Sequence, residues 1–150
     1  MKITFATNNP HKLNEVKNAV GEDIEILSIR DIGCYEELPE TSPGIEGNAQ
    51  QKAKYVHDHY HVNCFADDNG LEVEALNGEP GVYSARYAGE NCSFDDNMDK
   101  LLRNMKGIED RRAKFRTVIA FIFNGEVHYF EGAIDGHILK EKSGEQGFGY

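Results

Sequence analysis

Asn124-Gly125 sits between two long apolar-rich runs, and no other dipeptide of the chain limits the fold as much. Asn-Gly is the strongest short hairpin signal, because both central residues of the tightest turn need a positive φ. The flanking runs, 113–123 and 126–139, are expected to be two antiparallel strands. In the first run Ile119, Phe121 and Phe123 point one way, and Val118, Ala120 and Ile122 the other. A strand that is apolar on both faces has to be covered on both, which calls for a layered α/β domain.

The remaining chain alternates in the same sense. Residues 2–7, with Ile3 and Phe5, are expected to be a strand. Asn8-Asn9 turns the chain, and Pro10 suits the first turn of a helix, where its missing N–H is no loss. Leu13, Val16 and Val20 recur at helical spacing up to Gly21. A second strand is expected at 24–29 and an acidic loop at 33–44. A helix should run from Ile45 to Tyr60, with Ala49, Ala53 and Val56 on one face. Cys64-Phe65-Ala66 is expected to be a short buried strand ending in an Asp67-Asp68-Asn69-Gly70 turn. An exposed strand at 71–76 and a loop at 77–90 should follow. Ser93 is expected to cap a helix that has Asp95 and Asp96 in its first turn and Leu101, Leu102 and Met105 on its apolar face. At 150 residues the chain is expected to be one domain.

Charge narrows the function. Sixteen basic against 26 acidic side chains give a net charge of −10, which argues against binding duplex DNA or RNA. No run approaches the ~18 apolar residues of a membrane span. A small anionic ligand remains compatible if local lysines or a metal ion offset the repulsion. Cys34, Cys64 and Cys92 are odd in number and far apart, as in a protein of a reducing cytoplasm.

Four constellations are candidates for chemistry. Thr7-Asn8-Asn9-Pro10-His11-Lys12 lies between a strand and a helix, where backbone N–H groups and one lysine would favour a phosphate; it lacks the glycines of a Walker A loop. Asp67 and Asp68 are adjacent on an extended stretch and so point to opposite sides. Carboxylates next to phosphate suggest Mg²⁺. Glu40, in the acidic loop, is a candidate second metal carboxylate. Asn48 and Lys52 are four apart on one helix face, which puts Lys52 within reach of phosphate. Each of these also has a plainer local reading as a capped turn, a solvated acidic turn or loop, or a surface lysine. For His57, His59 and His61 the plain reading as a fraying helix end is the better one. The basic run Arg111, Arg112, Lys114 and Arg116 reads as a solvated strand edge, and Cys64 has no histidine to activate it.

The order of the motifs says more than any one of them. T-x-N-x-x-K at Thr7 to Lys12 is followed by E-T at Glu40-Thr41 and by N-A-x-x-K-A from Asn48 to Ala53. Then come A-D-D-x-G-L from Ala66 to Leu71, P-G-x-Y-S-A-R-Y from Pro80 to Tyr87, and G-F-G-Y from Gly147 to Tyr150. This succession resembles the inosine triphosphate pyrophosphatase family along the whole chain. The resemblance implies a two-lobed α/β fold around a long mixed sheet flanked by helices, with the active-site cleft between the lobes. It implies Mg²⁺-dependent hydrolysis of ITP, dITP and XTP at the α–β phosphoanhydride, to the nucleoside monophosphate and pyrophosphate, by a cytoplasmic homodimer. Thr7, Asn8, Asn9, Pro10, His11 and Lys12 match the triphosphate loop, and Lys52 a phosphate-contacting lysine. Glu40 and Asp68 match metal carboxylates, Asp68 also the general base, and Asp67 its acidic neighbour. Asn48 supports the site. Phe148, Gly149 and Tyr150 match the start of the purine-recognition loop.

Asn69 replaces the usual Ser after the paired aspartates, where it keeps hydrogen-bonding capacity toward substrate, and Gly47 replaces a Glu. The family continues past G-F-G-Y into residues that clamp the base, so the chain is expected to be truncated inside that loop. Two alternatives stay open at this level: a pyrophosphatase of the septum-formation-inhibitor (Maf) type, and a nucleotide-binding module without turnover.

Overall fold

In a computed structural model the chain is described over residues 1–145 and 149–150. Five strands form one sheet in the order β2-β1-β3-β4-β5, and three helices accompany them. The strands are β1 (Lys2–Phe5), β2 (Glu25–Leu27), β3 (Cys64–Val73), β4 (Arg112–Phe123) and β5 (Glu126–His137); the helices are α1 (Pro10–Ala19), α2 (Ile45–Tyr60) and α3 (Phe94–Asn104). β1 pairs in parallel with β2 and β3, with Ile3 opposite Ile26 and Phe5 opposite Phe65. β4 and β5 are joined by the two-residue turn, so the sheet is mixed. Asn124 and Gly125 have φ of 50° and 82°, the left-handed values the turn demands.

The chain divides into two compact units: Met1–Asp68 with Val118–Glu131, and Asn69–Thr117 with Gly132–Tyr150. In the first unit Ile3, Phe5 and Ile26 form a core with Leu13, Val16, Val20, Ile24, Phe65 and Phe121 against it. Phe5 and Phe65 stack at 4.4 Å. The apolar stripe of α1 therefore packs as its spacing predicts, though each of its residues stays partly exposed. In the second unit Leu71, Val73, Tyr87, Leu101 and Met105 form a separate cluster. Ser93 caps α3 as expected, in a reciprocal capping box with Asp96. No helix among the described residues is long and apolar enough to cross a membrane.

Several expectations are corrected. The four residues Asp67 to Gly70 are not a turn: β3 runs through them without a break. Burial alternates along it but changes phase, with Cys64 and Ala66 buried before the aspartates and Leu71 and Val73 after them. The strand expected at 71–76 is thus the second half of β3, followed by a 3-10 turn at Glu74–Leu76. β2 covers three residues, because the chain enters a 3-10 turn at Arg30–Ile32. The loop at 77–90 holds a further 3-10 turn at Gly81–Arg86, where buried Ser84 accepts from Leu71 N at 2.9 Å and donates to Gly81 O at 2.7 Å. β4 is buried on its Val118, Ala120 and Ile122 side and only half-buried on the other, and β5 is exposed throughout.

Candidate functional site

The first βα turn carries the predicted phosphate loop. Asn9 is the N-cap of α1, and its Oδ1 accepts from His11 N at 2.9 Å and Lys12 N at 3.3 Å. Thr7 Oγ1 accepts from Asn9 N at 3.1 Å, Thr7 N donates to Phe5 O, and Leu13 N to Asn9 O. Pro10 has no N–H. The amides expected to cradle an anion are therefore mostly used inside the loop. An anion would instead meet the helix dipole and three side-chain donors, namely the Thr7 hydroxyl, the Asn9 Nδ2 and the Lys12 ammonium. His11 is exposed beside them.

Lys12 does not stand free. Its Nζ donates to Asp67 Oδ2 at 2.8 Å, across 55 residues of sequence. Asp67 is 9% exposed, and its other oxygen, Oδ1, is buried without a hydrogen bond. Asp68 follows on β3, half-buried, with Oδ2 shut off from solvent. Asn69, next along the strand, is half-buried too. Strand geometry turns the side chains of neighbours to opposite sides, so the two aspartates serve different directions.

The second lysine is on α2. Its buried residues are Ile45, Asn48, Ala49, Lys52, Ala53 and Val56, a single helical stripe. Lys52 lies in that stripe at 6% exposure and is not a surface lysine. Small Ala49 and Ala53 flank it, and buried Cys64 donates its thiol to Ala53 O at 3.2 Å. Burying an ammonium is tolerated only with a partner. Lys52 Nζ has one in Glu40 Oε1, at 2.5 Å, on the mostly exposed acidic loop. An ammonium has three donors, so Lys52 can still serve an anion.

The acidic loop is fastened at many points, none of them expected from the sequence, where Asn48 is named only as a supporting residue. Asn48 Oδ1 accepts from Ser42 N at 2.8 Å, and Gln51 accepts from Thr41 N and donates to Thr41 Oγ1, both at 2.8 Å. Asn8 uses its side chain here, with Nδ2 donating to Glu36 O at 3.2 Å and Oδ1 accepting from Leu38 N at 3.0 Å. Glu36 Oε1 accepts from the hydroxyls of Tyr55 at 2.9 Å and Tyr60 at 3.1 Å. These bonds, Tyr55 first, hold the Glu36 carboxyl below the usual range, and Tyr55 is raised in turn. Gly47 matters sterically: a Cβ there would overlap Ser42 Oγ. Any side chain at position 47 requires Ser42 to move.

Among the described residues no three His, Cys, Asp or Glu side chains form a ready-made metal cage. The donors offered are carboxylate oxygens, one of them buried and unsatisfied at Asp67. That set fits Mg²⁺, which takes one or two carboxylates and leaves its other positions to water and phosphate. His57 and His59 instead bond the carbonyls of Val62 and Tyr55. Burial pushes the Cys64 thiol up to about 12, as suits an inert cysteine. Arg111 is bound to the carbonyls of Met105, Ile108, Ile138 and Leu139, and Lys114 and Arg116 face Glu72. The basic run is thus structural.

Of the predicted purine loop, Phe148 lies outside the described residues. Gly149 has a φ of 130°. Tyr150, about one-third exposed, stands in the second unit beside a cavity of about 210 Å³ with Met98, Leu102 and Ile138 on its wall. Partial burial raises its phenol above the usual range. A hollow of about 850 Å³ in that unit, beside Arg103 and Lys106, is lined by no predicted site residue.

A mixed α/β sheet whose parallel strand β1 leads into a lysine-bearing helix start, with acidic side chains on the neighbouring β3, puts these groups at strand ends, where α/β proteins hold phosphorylated ligands. The chain belongs to the Ham1 family, whose model matches residues 3–150. It is 53% identical to a dITP/XTP pyrophosphatase of Flavobacterium psychrophilum and 52% identical to one of Porphyromonas gingivalis. It covers 79% and 77% of their lengths, and the matches take in 100% and 99% of this chain. Among solved structures, the Ham1 protein of Staphylococcus aureus superposes with a TM-score of 0.92 at 41% identity, and a HAM1 protein of Coxiella burnetii with 0.93 at 31%. The chain is covered completely in both and spans 78% and 79% of those chains. Family membership sets aside the Maf-type alternative.

Proposed function

We propose that the chain hydrolyses dITP, ITP and XTP at the α–β phosphoanhydride, releasing the nucleoside monophosphate and pyrophosphate, and so clears non-standard purines from the nucleotide pool. One observation carries this beyond the relatives' names. The first unit contains two lysine–carboxylate couples, Lys12–Asp67 from the β1–α1 turn and Lys52–Glu40 from the buried face of α2. Each couple offers a cation to phosphate oxygens and a carboxylate that aims it.

Phosphoryl transfer needs mostly positioning and charge neutralisation. Lys12 and Lys52 offset the triphosphate charge, and Asp67 and Glu40 aim them. Thr7 and Asn9 donate to phosphate oxygens, within a turn shaped by Asn8, Pro10 and His11. Glu40 and Asp68 would hold Mg²⁺, which when bound acidifies water and screens phosphate charge. Asp68 takes the proton of the attacking water. Asn69 hydrogen-bonds a phosphate oxygen or a ligand water, and Asn48 holds the loop of Glu40 through Ser42 N. Phe148, Gly149 and Tyr150 receive the purine. A donor to a 6-oxo group is left facing an amino group when adenine enters, which disfavours ATP.

Residues 1–150 act in this reading as one catalytic domain of a cytoplasmic homodimer. The acidic charge and three free cysteines suit the compartment.

The test is product analysis with Mg²⁺ and dITP, with dATP and dGTP in parallel. Equal amounts of dIMP and pyrophosphate, formed well ahead of products from the other two, are expected. Formation of dIDP and phosphate, or tight binding without products, would overturn the proposal, the latter in favour of a binding module.

A further inference from the structure

We propose that Glu36 is a positioning residue of this site: its two ends tie the phosphate loop and α2 to the segment that delivers Glu40. The inference rests on the pyrophosphatase reading above and adds a residue to it.

Glu36 lies four residues before Glu40, on the surface, where a lone carboxylate would ordinarily be solvated. Instead both hydroxyls of Tyr55 and Tyr60, near the end of α2, donate to its Oε1 at 2.9 and 3.1 Å. Its Oε2 accepts from Tyr35 N at 3.3 Å. Its backbone carbonyl accepts from Asn8 Nδ2, whose Oδ1 in turn receives Leu38 N. One residue thus joins the segment before Glu40 to the phosphate turn on one side and to the lysine helix on the other. After Glu40 the chain is fastened again, by Gln51 at Thr41 and Asn48 at Ser42. Glu40 is the mostly exposed member of its pair with Lys52, so its place depends on these two anchors rather than on burial. Charge-assisted hydrogen bonds are the stronger kind, and two phenols on one carboxylate oxygen make the upstream anchor a firm one. Asn8 is then chiefly a strut between the two loops, while Thr7, Asn9 and Lys12 remain to face phosphate.

The test compares Glu36→Ala, Glu36→Gln and the double variant Tyr55→Phe with Tyr60→Phe. Gln keeps the Oε1 acceptor, so it reports the hydrogen bonds separately from the charge. Two quantities are read: the half-saturating Mg²⁺ concentration for dITP turnover, and amide hydrogen exchange over residues 34–44. Glu36→Ala and the double Phe variant are expected to raise the Mg²⁺ requirement about tenfold, the scale of one lost charge-assisted bond, and to speed exchange at Leu38, Thr41 and Ser42. Glu36→Gln, which keeps an acceptor but not the charge, is expected to lie between the unaltered chain and Glu36→Ala in both. An unchanged Mg²⁺ requirement in both loss variants overturns the proposal, and so does a Gln variant as impaired as Ala. If Glu36→Ala fails to fold, the double Phe variant decides by the same criteria. If the unaltered chain itself releases no dIMP, the pyrophosphatase reading has failed. The exchange data alone then judge the anchor, and slow exchange in all variants rejects it.

Discussion

Replacing Lys12 by methionine removes the partner of a carboxylate that cannot turn to water. Lys12 Nζ lies 2.8 Å from Asp67 Oδ2, with side chains 27% and 12% exposed. Asp67 Oδ1 is already buried without a hydrogen bond, so Lys12→Met leaves neither oxygen paired. Breaking a buried pair from one side costs about 3–5 kcal/mol. The partial exposure of Lys12 lowers that to about 2–3 kcal/mol here, because solvent already screens part of the attraction. The reverse change, Asp67→Asn, frees an ammonium on a long stem that can swing into water, and should cost about 1 kcal/mol or less. The two single changes are therefore unequal although they break the same bond. The double variant, with no stranded charge, should recover at least half of the Lys12→Met loss. Urea unfolding near neutral pH measures this: with a slope of about 2 kcal/mol per molar, the midpoint falls by about 1 M or more for Lys12→Met and by about 0.5 M or less for Asp67→Asn. Equal losses from the two, or none from Lys12→Met, would refute the buried-charge argument.

Other consequences follow from named contacts. Gly47→Ala forces a Cβ into Ser42 Oγ; it should cost about 1–3 kcal/mol and lower Tm by several degrees in a thermal melt, and adding Ser42→Gly should restore most of it. Ser93→Ala removes the acceptor for Asp96 N at 3.0 Å and should cost about 1 kcal/mol, while Ser93→Gly should cost only a few tenths. Cys64 has a folded-state pKa raised to about 12. Its contribution to stability is complete below the ordinary thiol pKa and is lost as pH rises toward 12, because the unfolded chain ionises first. Cys64→Ala should flatten that alkaline decline in unfolding midpoints, and at pH 8 half-buried Cys92 should alkylate before Cys34 and Cys64.

Elements that rest on local chemistry were readable in the residues themselves. The ends of α2, the capping box at Ser93 and the Asn124-Gly125 turn each follow from residues within one turn of one another. The burial of Lys52 runs against its plain reading as a surface lysine, but it had a signal: Asn48 and Lys52 fall on the 45, 49, 53, 56 stripe, which marks them as inward. Asp67 to Gly70 misled because all four residue types favour turns. β3 runs unbroken through them with β4 as its neighbour in the sheet, which outweighs that local preference, and the counter-charge that lets Asp67 be buried comes from a lysine 55 residues away. Asn8 looks like any turn asparagine, yet its partners are 28 and 30 residues on. The Glu36–Tyr55–Tyr60 contact has no sequence signature at all, since a surface glutamate and two helix tyrosines are ordinary in isolation.

The chemistry assigned to β3 is tested most directly by Asp68→Asn, an isosteric change that removes the general base and one negative charge. Steady-state turnover of dITP at saturating Mg²⁺ is measured beside the unaltered chain, with circular dichroism to confirm the fold. A drop in kcat of about 10²–10⁴, with KM changed far less, is the expected result. A variant that turns over dITP within about fivefold of the unaltered chain would contradict the assignment of the base to Asp68.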